Sequence, residues 1–467
     1  MTEATLTTGS IDSTAIEKLR IDFGGDILRQ SDQGFDEARH VYNGMFSERR
    51  PAVILRCRTT DDVVSAVNFC RDNGLLVAVK GGGHSIPGFS AVEGGVLIDL
   101  SQMNSVDVDP QSRIAKAGGG TTWAQFDAAT QEHGLATPGG FVSTTGIAGL
   151  TLNGGIGYLS RKHGLSCDNL IGAEVVTSSG EIVEVSENDN AELLWGLRGG
   201  GGNFGIVTRF EFKLHPVTDV YLRVAMYDAD KGKEVLKAYR DAAPSAPEGV
   251  VSAALFYTVP VDPMMPEELH GKMVWAIFAG CIGPESEGEP LTEFAIAVDG
   301  PLAAFGMTVP YTFAQQFQDE ASKWGHQNYW KSGLLDVVSD EVIDKIAELA
   351  PTASSPLCQL NVLALGGAIA EVAEDATAYS NRTAVFNFSI DNIWEDSAEN
   401  DKQIAWSRAF FEQIRPAMRG VYLNFIGDEG LDRVKESFGA KYERLVELKK
   451  KYDPINLFRL NQNIKPE

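Results

Sequence analysis

Residues 77–90 read VAVKGGGHSIPGFS, and the other features of the chain are arranged around this stretch. A short apolar run of β type leads into three glycines, which His84 and Ser85 follow. Glycine permits positive φ angles and lets backbone N–H groups approach another molecule closely. A concave set of such groups binds anions, typically phosphate. The stretch predicts an anion-binding loop after a strand; the alternative is an ordinary glycine-rich turn between two strands.

Two well-known nucleotide-binding patterns do not fit the chain. The loop lacks the closing Gly-Lys-Ser/Thr of a P-loop. A later cluster matches the dinucleotide fingerprint as a string, with Gly200, Gly202 and Gly205 at the required spacing. That cluster leads into the alternating apolar residues 206–214, which predict a strand, whereas the fingerprint requires a helix. We therefore expect no Rossmann domain.

The segment before the loop has the pattern of a β-α-β unit. Residues 53–55 predict a strand, and Thr59 begins a run of capping and acidic residues typical of a helix start. Apolar residues at helical spacing follow, Asn73-Gly74 ends the helix, and residues 75–79 predict a second strand. The glycine loop is therefore expected to leave the end of a strand.

Later segments extend this first part of the chain. Strands are predicted at residues 96–100 and 114–117, a helix from Thr122 to His133, and a hairpin over 173–185. Residues 137–158 are rich in glycine and poor in charge, a surface on which a flat, mostly neutral ligand could lie. A helical segment around Ala15–Arg20 precedes all of them.

The composition changes from about Pro216, where glycine becomes rarer and aromatic and acidic residues more frequent. Strands are predicted at residues 253–258, 273–278, 359–365 and 385–390, with helices such as 339–349 between them. This order predicts a second domain built on an antiparallel sheet.

Charge and cysteine content exclude several classes of protein. The 467 residues carry a formal net charge of −24, whereas nucleic acids and anionic membranes require a positive surface. No apolar run reaches the ~18 residues of a membrane helix, and Met1–Thr5 lack the start of a signal peptide, so we expect a cytoplasmic protein. The five cysteines and seven histidines show no disulfide or ligand pattern, so no metal site is predicted.

Four motifs in this order carry a resemblance to a known family: GGGHS at 81–85, LNGGIG at 152–157, GLSCDN at 164–169 and YDPINLF at 452–458. Together they resemble the vanillyl-alcohol oxidase / p-cresol methylhydroxylase (PCMH) flavoproteins, in the berberine bridge enzyme-like branch. The resemblance implies an α+β fold with a two-subdomain PCMH-type FAD-binding domain, residues 1–216, to which residues 421–467 return. Residues 217–420 would form the substrate-binding domain, an antiparallel sheet flanked by helices.

The resemblance also implies a covalent cofactor. In that family the histidine of the glycine loop is joined to the 8α carbon of FAD, and this position is His84 here. Members with a second link carry a cysteine in a Cys-Pro-x-x-Gly setting, but the matching string 142–146 begins with Val142. Cys167 lies in another motif, where we expect a small buried side chain. We expect a single link through His84; a histidine that is only hydrogen-bonded in the turn is the alternative.

Further FAD contacts follow from the same resemblance. The backbone of the glycine loop is expected to hold the pyrophosphate, later glycine-rich residues to flank the isoalloxazine, ribose and adenine, and C-terminal residues to close over the flavin. These residues are, in the same order, Lys80, Gly81, Gly82, Gly83 and Ser85; Gly140, Thr144, Gly146, Gly149, Asn153, Gly154, Ile206 and Val207; and Asn461 and Asn463.

The family's reaction moves a hydride from a substrate C–H to the flavin while a base takes a proton from an adjacent O–H or N–H. Our candidate base is Tyr422, whose segment YLNF resembles the family's Tyr-x-Asn-Tyr. A free tyrosine has a pKa near ~10, so the base would need a lowered pKa, and Lys331 is a candidate cation for this. The alternative is a packed tyrosine hydrogen-bonded to the flavin.

Gln359 and Asn361 alternate on a predicted strand and so share one face. The resemblance implies that this face covers the flavin and holds substrate-binding groups, sometimes a carboxylate base. Because this pair is neutral, we favour Tyr422 as the base; a core role for the two amides is the alternative. Trp324, Tyr329 and Trp330 are candidates for shaping the pocket.

Thr145 stands where the family's oxidases have valine and its dehydrogenases leucine or isoleucine. Its valine-like size leaves room for O2, so we expect an oxidase of an alcohol, sugar or amine that forms hydrogen peroxide. Two alternatives stay open: a dehydrogenase with another electron acceptor, and a flavin-carrying protein without turnover. We expect a small-molecule substrate and a monomer or homodimer.

Overall fold

The computed structural model describes residues 11–466. Met1–Thr5, on which the expectation of no signal peptide rests, lie outside the described residues. The described strands are, in chain order, β1 Asp26–Leu28, β2 Val53–Arg56, β3 Val77–Lys80, β4 Val96–Asp99, β5 Val106–Asp109, β6 Ile114–Gly118, β7 Leu135–Ala136, β8 Leu170–Val176, β9 Ile182–Ser186, β10 Ile206–Lys213, β11 His215–Pro216, β12 Asp219–Asp228, β13 Val250–Thr258, β14 Met273–Ile282, β15 Ala303–Pro310, β16 Gln327–Leu335, β17 Gln359–Ala364 and β18 Phe386–Trp394.

The described α-helices range from a single turn to four turns. In chain order they are α1 Ser13–Asp22, α2 Phe35–Ala38, α3 Thr60–Asp72, α4 Trp123–Gln131, α5 Ile147–Leu152, α6 Ser160–His163, α7 Ala191–Leu197, α8 Gly232–Ala242, α9 Glu285–Leu291, α10 Tyr311–Gln316, α11 Asp340–Leu349, α12 Ala368–Glu371, α13 Asn400–Ile414, α14 Leu431–Phe438 and α15 Tyr442–Tyr452. Within residues 11–466, none is both long and apolar enough to cross a membrane.

The predicted β-α-β unit is confirmed. Thr59 caps α3 through a capping box with Asp62, in which each side chain accepts a hydrogen bond from the other residue's backbone N–H. The apolar face of α3 packs on a small sheet with strand order β1-β2-β4-β3, in which β2 and β3 each pair with β4 in parallel. The glycine loop leaves the C-terminal end of β3, as the sequence predicted.

The second sheet of the first part is antiparallel, with order β5-β6-β10-β8-β9 among the described strands. Strand β10 begins at Ile206, directly after the glycine cluster that resembles the dinucleotide fingerprint. The prediction that a strand follows this cluster is therefore confirmed. A buried core formed by this sheet, α4, α7 and the C-terminal helices includes Trp123, Phe210 and Leu445.

The predicted antiparallel sheet of the second part is also confirmed, with the order β15-β12-β14-β13-β17-β18-β16 in the described chain. Residues of β12, β13, β14, β16 and β17 alternate between two cores. One core lies under α8, α11 and α13 and includes Phe256 and Phe388. The other faces the glycine-rich segments and includes Ala253 and Leu363. One face of the sheet is thus covered by helices, and the other is turned towards the first part of the chain.

A buried ion pair fixes the C-terminal segment. The Lys449 ammonium lies 2.7 Å from Asp453, and both side chains are fully buried. Lys449 also donates to the carbonyl oxygens of Asn203 and Phe458, while Asp453 accepts from the backbone N–H groups of Leu457 and Phe458. The pair therefore ties the second glycine cluster to the chain end, so that residues 460–462 run along a central cavity.

Replacing Lys449 by Met should lower the free energy of unfolding by about 3–5 kcal/mol, because it leaves the Asp453 carboxylate buried without its counter-charge. The matched control is Lys450→Met in the same helix, whose side chain is 43% exposed and pairs with an exposed glutamate. That change should alter stability by less than about 1 kcal/mol. Urea unfolding followed by circular dichroism measures both, and equal stabilities of the two variants would contradict this role for the pair.

Candidate cofactor and substrate site

A cavity of about 390 Å³ lies between the glycine-rich segments and the inner face of the second sheet. Its wall combines four parts of the chain that are far apart in sequence: the loop 81–85, the segment 140–153, alternate residues of β13, β17 and β18, and residues 460–462. The first two parts present mainly backbone, and the sheet presents side chains. The cavity therefore has one wall suited to a flat cofactor and one suited to a substrate.

The glycine loop offers unpaired hydrogen-bond donors. The backbone N–H groups of residues 81–85 donate to no other group in the described chain, and all of these residues line the cavity. Free backbone N–H groups on consecutive residues form an anion-binding concavity. No lysine or arginine of the described chain lines this cavity, so a phosphate here would depend on neutral donors such as these amides.

Two glycines bring the loop 81–85 and the segment 140–153 into backbone contact. A Cβ at Gly82 would lie 2.3 Å from the backbone nitrogen of Gly146, and a Cβ at Gly146 would lie 2.4 Å from that of Gly82. Any side chain at either position would push the two segments apart. The crossing of the two segments therefore requires glycine at both positions.

His84 lies where the two segments cross. Its Nε2 is 2.9 Å from the hydroxyl oxygen of Thr144, and its Nδ1 is 3.4 Å from that of Thr145. Tyr42 stacks on the ring at 4.3 Å, and Trp324 meets it edge-on. Desolvation lowers the pKa of His84 to about 3, so the imidazole is neutral at physiological pH. Because the imidazole is neutral, one of its two ring nitrogens carries no proton and keeps its lone pair.

These features fit a flat cofactor with a diphosphate, which is FAD's chemistry. Gly149 and Gly202 line the cavity, and a Cβ at either would meet no atom within 4 Å, so both leave open space. The carbonyl oxygen of the Asn461 side chain and the hydroxyl of Ser90 also line it, and each is buried without a partner in the described chain. Amides for phosphate, flat glycine walls and free polar atoms are what such a cofactor needs.

The sequence analysis missed Asp391, a carboxyl group on the sheet wall. Asp391 lies on β18 directly opposite Gln359 of β17, and its Oδ2 accepts a 2.6 Å hydrogen bond from the Asn361 side chain. Its Oδ1 is buried and has no partner in the described chain. Desolvation raises the pKa of Asp391 to about 7. The alternation of Asn387, Ser389 and Asp391 between apolar residues was the sequence pattern that could have revealed it.

The structure contradicts Tyr422 as the base. Its side chain is 1% exposed, and its hydroxyl oxygen accepts hydrogen bonds from the backbone N–H groups of Gly155 and Ile156 and from Asn424. Burial outweighs these bonds and raises the pKa of Tyr422 to about 12. The neighbouring Leu423, Asn424 and Phe425 line the cavity instead. Tyr422 therefore holds the turn at residues 155–156 and does not take up a proton.

The structure also places Lys331 away from Tyr422, whose pKa it was predicted to lower. It lies on β16 with its side chain towards α13, where the ammonium is 3.1 Å from Glu429 and 5.1 Å from the centre of the Phe411 ring. Tyr329 lies on the same face of β16, where its hydroxyl accepts a hydrogen bond from Arg408. Of the neighbouring residues Tyr329, Trp330 and Lys331, Trp330 therefore lines the cavity and the other two do not. The alternation of a strand explains both errors, because consecutive residues point to opposite faces.

Lys80 has a structural role. Its ammonium forms an ion pair with the buried Asp99 at 3.3 Å and donates to the carbonyl oxygen of Ala38. The Lys80 carbonyl oxygen accepts from the N–H of Leu100. Lys80 does not line the cavity, whereas Gly81 does, so the row of cavity-lining loop residues begins at Gly81.

The remaining predicted residues divide into two groups. Thr144 bonds His84, Gly154 packs against Tyr379, and Asn463 has a buried side-chain oxygen; none of the three lines the cavity. Cys167 is fully buried, as expected, in the core between the second sheet and the glycine-rich segments. The predicted residues that do line the cavity are Gly81, Gly82, Gly83, His84, Ser85, Gly140, Gly146, Gly149, Asn153, Ile206, Val207, Gln359, Asn361 and Asn461, together with Thr145 and Val142.

Two protein families match the chain. Residues 51–186 match a family described as "FAD binding domain", and residues 421–465 match one described as "Berberine and berberine like". The first contains the glycine loop, and the second contains Tyr422 and the C-terminal segment. Both matches fall on the parts of the chain that form the cofactor wall.

Similarity over the whole chain also points to FAD-linked oxidoreductases. An FAD-linked oxidoreductase of Dictyostelium discoideum is 32% identical over 418 residues, covering 89% of each chain. Among solved structures, 6-hydroxy-D-nicotine oxidase from Arthrobacter nicotinovorans superposes with a TM-score of 0.84 at 24% identity, over 95% of this chain and 98% of that one. A chitooligosaccharide oxidase gives 0.81 at 23% identity, over 97% and 100%. The two structures show a shared fold.

Replacing Gly146 by Ala should reduce FAD content and thermal stability, because the added Cβ meets the backbone of Gly82 and pushes the two glycine-rich segments apart. Overpacking of this kind typically costs about 1–3 kcal/mol. The control is Gly427→Ala, where a Cβ meets no atom within 4 Å. Flavin absorbance per polypeptide and the melting temperature measure the effect. A Gly146→Ala protein that matches the Gly427→Ala protein in both would refute the importance of the contact.

Proposed function

Because this chain belongs to the berberine bridge enzyme-like family of FAD-linked oxidoreductases, we propose that it is an oxidase with covalently bound FAD. The substrate is an alcohol, sugar or amine, and O2 is the electron acceptor, giving hydrogen peroxide. The observation that carries this proposal is the Asp391 carboxyl, which stands on the sheet wall of the cavity with Oδ1 unpartnered in the described chain. When bound, FAD accepts a hydride from the substrate.

His84 is the proposed site of attachment, through one link. The support is its neutral ring, enclosed by Thr144, Thr145, Tyr42 and Trp324 at the mouth of the amide loop. Val142 lines the cavity where doubly linked relatives carry a cysteine, and its side chain cannot form a bond to the cofactor. Residues 81–85 would hold the diphosphate through their backbone N–H groups.

Asp391 is the proposed base. The Asn361 amide holds Oδ2, which orients the carboxyl and leaves Oδ1 to accept a proton from the substrate O–H or N–H. A base is most effective when its pKa lies near the working pH, and desolvation brings the pKa of Asp391 to about 7. Gln359, the register partner of Asp391, lines the cavity and would orient the substrate.

The choice of oxygen as acceptor rests on Thr145. Its small side chain lines the cavity beside His84, where a larger residue would fill the space that O2 needs. We also propose that residues 1–216 with 421–467 form the cofactor-binding domain and residues 217–420 the substrate-binding domain. The alternation of the second sheet between a helix-covered face and a cavity-lining face supports this division.

Anaerobic bleaching of the flavin by a panel of alcohols, sugars and amines tests the function, followed by peroxide determination in air. We expect at least one class to bleach the flavin and to yield about one peroxide per substrate molecule. Bleaching without peroxide would indicate a dehydrogenase. A protein that holds FAD and is bleached by none of the panel would count against turnover.

Replacing Asp391 by Asn should lower kcat by about 10²- to 10⁴-fold, because the amide cannot accept the substrate proton. In the wild type kcat/KM should fall as the pH drops below about 7, when the carboxyl becomes protonated. His84 has its pKa lowered to about 3, while burial raises the pKa of both Tyr42 and Cys358, so these neighbours do not titrate near neutrality.

The variant should lack this acid limb while retaining its flavin spectrum. Steady-state rates between pH 5 and 9 measure both effects, at about one-unit intervals of the range in which Asp391 titrates. The exposed Asp336, paired with Arg419, provides the matched control Asp336→Asn. An unchanged acid limb in Asp391→Asn would assign the titration, and the base, to another group.

Replacing His84 by Ala should leave FAD extractable by acid precipitation, because the only proposed link is lost. The wild type should keep the flavin in the protein pellet. The control His133→Ala removes an exposed histidine and should behave as the wild type. Flavin that stays in the pellet of His84→Ala would place the covalent link elsewhere.

A further inference from the structure

We propose that the substrate is an apolar, aromatic amine that binds as its ammonium form beside Asp391, and not a sugar or an acid. This inference rests on the proposed function and narrows its substrate class. It is carried by three properties of the cavity wall: an apolar surface on the sheet, a tryptophan paired across the strands with one carboxyl, and few unpaired hydrogen-bonding groups near that carboxyl.

The sheet wall is largely apolar. Strands β13, β14 and β17 contribute Val251, Ala253, Leu255, Phe278 and Leu363 to the cavity. Burying a hydrocarbon surface against such a wall is favourable by roughly 25 cal/mol per Å², whereas burying a sugar hydroxyl there without a partner is costly. This half of the chamber therefore favours a hydrocarbon or aromatic body.

The cross-strand neighbour of the carboxyl is aromatic. Trp330 on β16 pairs directly with Asp391 on β18, and it meets Phe425 edge-on at 5.9 Å. Phe425 stands in the YLNF segment at the second tyrosine position of the Tyr-x-Asn-Tyr pattern, so this ring brings no hydroxyl. Aromatic side chains together with a carboxylate are a combination by which proteins bind alkylammonium ions.

The polar groups near Asp391 are mostly engaged with one another. Asn361 donates to Asp391 and to Ser389, and the Ser332 hydroxyl donates to the side-chain oxygen of Asn387. The groups left near Asp391 are its own Oδ1, the Asn387 side-chain N–H groups and the Gln359 side chain, fewer than the several hydroxyls of a sugar require. In the described chain no lysine or arginine lines the cavity, so a carboxylate or phosphate on the substrate would meet the Asp391 charge without compensation.

Amine oxidation at this site balances without a further reactant. The substrate ammonium gives its N–H proton to Oδ1 of Asp391, and the C–H bond next to nitrogen breaks with its hydride passing to FAD. The product is an iminium ion. Relative to the substrate ammonium it has lost two protons and two electrons. Oxygen takes up the two electrons and two protons and becomes hydrogen peroxide.

Calorimetric titration with two isosteric probes tests the inference without turnover. Benzyltrimethylammonium carries the charge and has no N–H to lose, and neopentylbenzene has the same shape without charge. On the holoenzyme we expect the cation to bind at least about thirtyfold more tightly, the ratio expected for one desolvated charge pair. Asp391→Asn should remove most of this preference, and Asp336→Asn should retain it.

Anaerobic bleaching then compares N-methylbenzylamine with benzyl alcohol and cellobiose. We expect the amine to bleach the flavin fastest, and this ordering needs no variant to fold. Equal binding of the two isosteres, or bleaching by cellobiose but not by the amine, would overturn the inference while leaving an oxidase in place. If no compound bleaches the flavin, the proposed function fails, and the isostere ratio still decides whether the cavity selects cations.

Discussion

The contact between the backbones of Gly82 and Gly146 is the constraint on which the site depends. It allows a loop leaving a parallel strand and a segment before a short helix to cross without side chains between them. The crossing puts His84 between two threonine hydroxyls and leaves the amides of residues 81–85 facing the cavity. In a protein of net charge −24, these backbone N–H groups could bind a diphosphate without a basic side chain.

The buried lysines of the core are paired with carboxylates, whereas one buried carboxyl, Asp391, is not paired with a cation in the described chain. Lys80, Lys331 and Lys449 each pair with a carboxylate away from the cavity, so their charges stabilise the fold. Asp391 has no such partner in the described chain, and burial therefore keeps its proton affinity high. A carboxyl that titrates near neutrality in a chamber without cations suits proton transfer, and it also explains why a positively charged ligand would be attracted there.

The sequence allowed the fold and the cofactor wall to be predicted closely, because each depends on local rules. The capping box at Thr59, the alternation of β10 and the glycine loop are encoded within a few residues. The base could not be predicted in the same way. Whether Lys331 or its neighbour faces a cavity depends on which face of the strand the helices cover, and Asp391 becomes a candidate only when β18 is paired with β17. Such pairing joins residues distant in sequence.

The proposed function requires that FAD be bound covalently to one histidine, His84. Mass spectrometry of the purified protein, intact and after proteolysis, addresses it most directly. We expect a polypeptide heavier by one FAD, with the added mass on the peptide that contains His84. An unmodified polypeptide, or an FAD carried by a peptide that lacks His84, would contradict it.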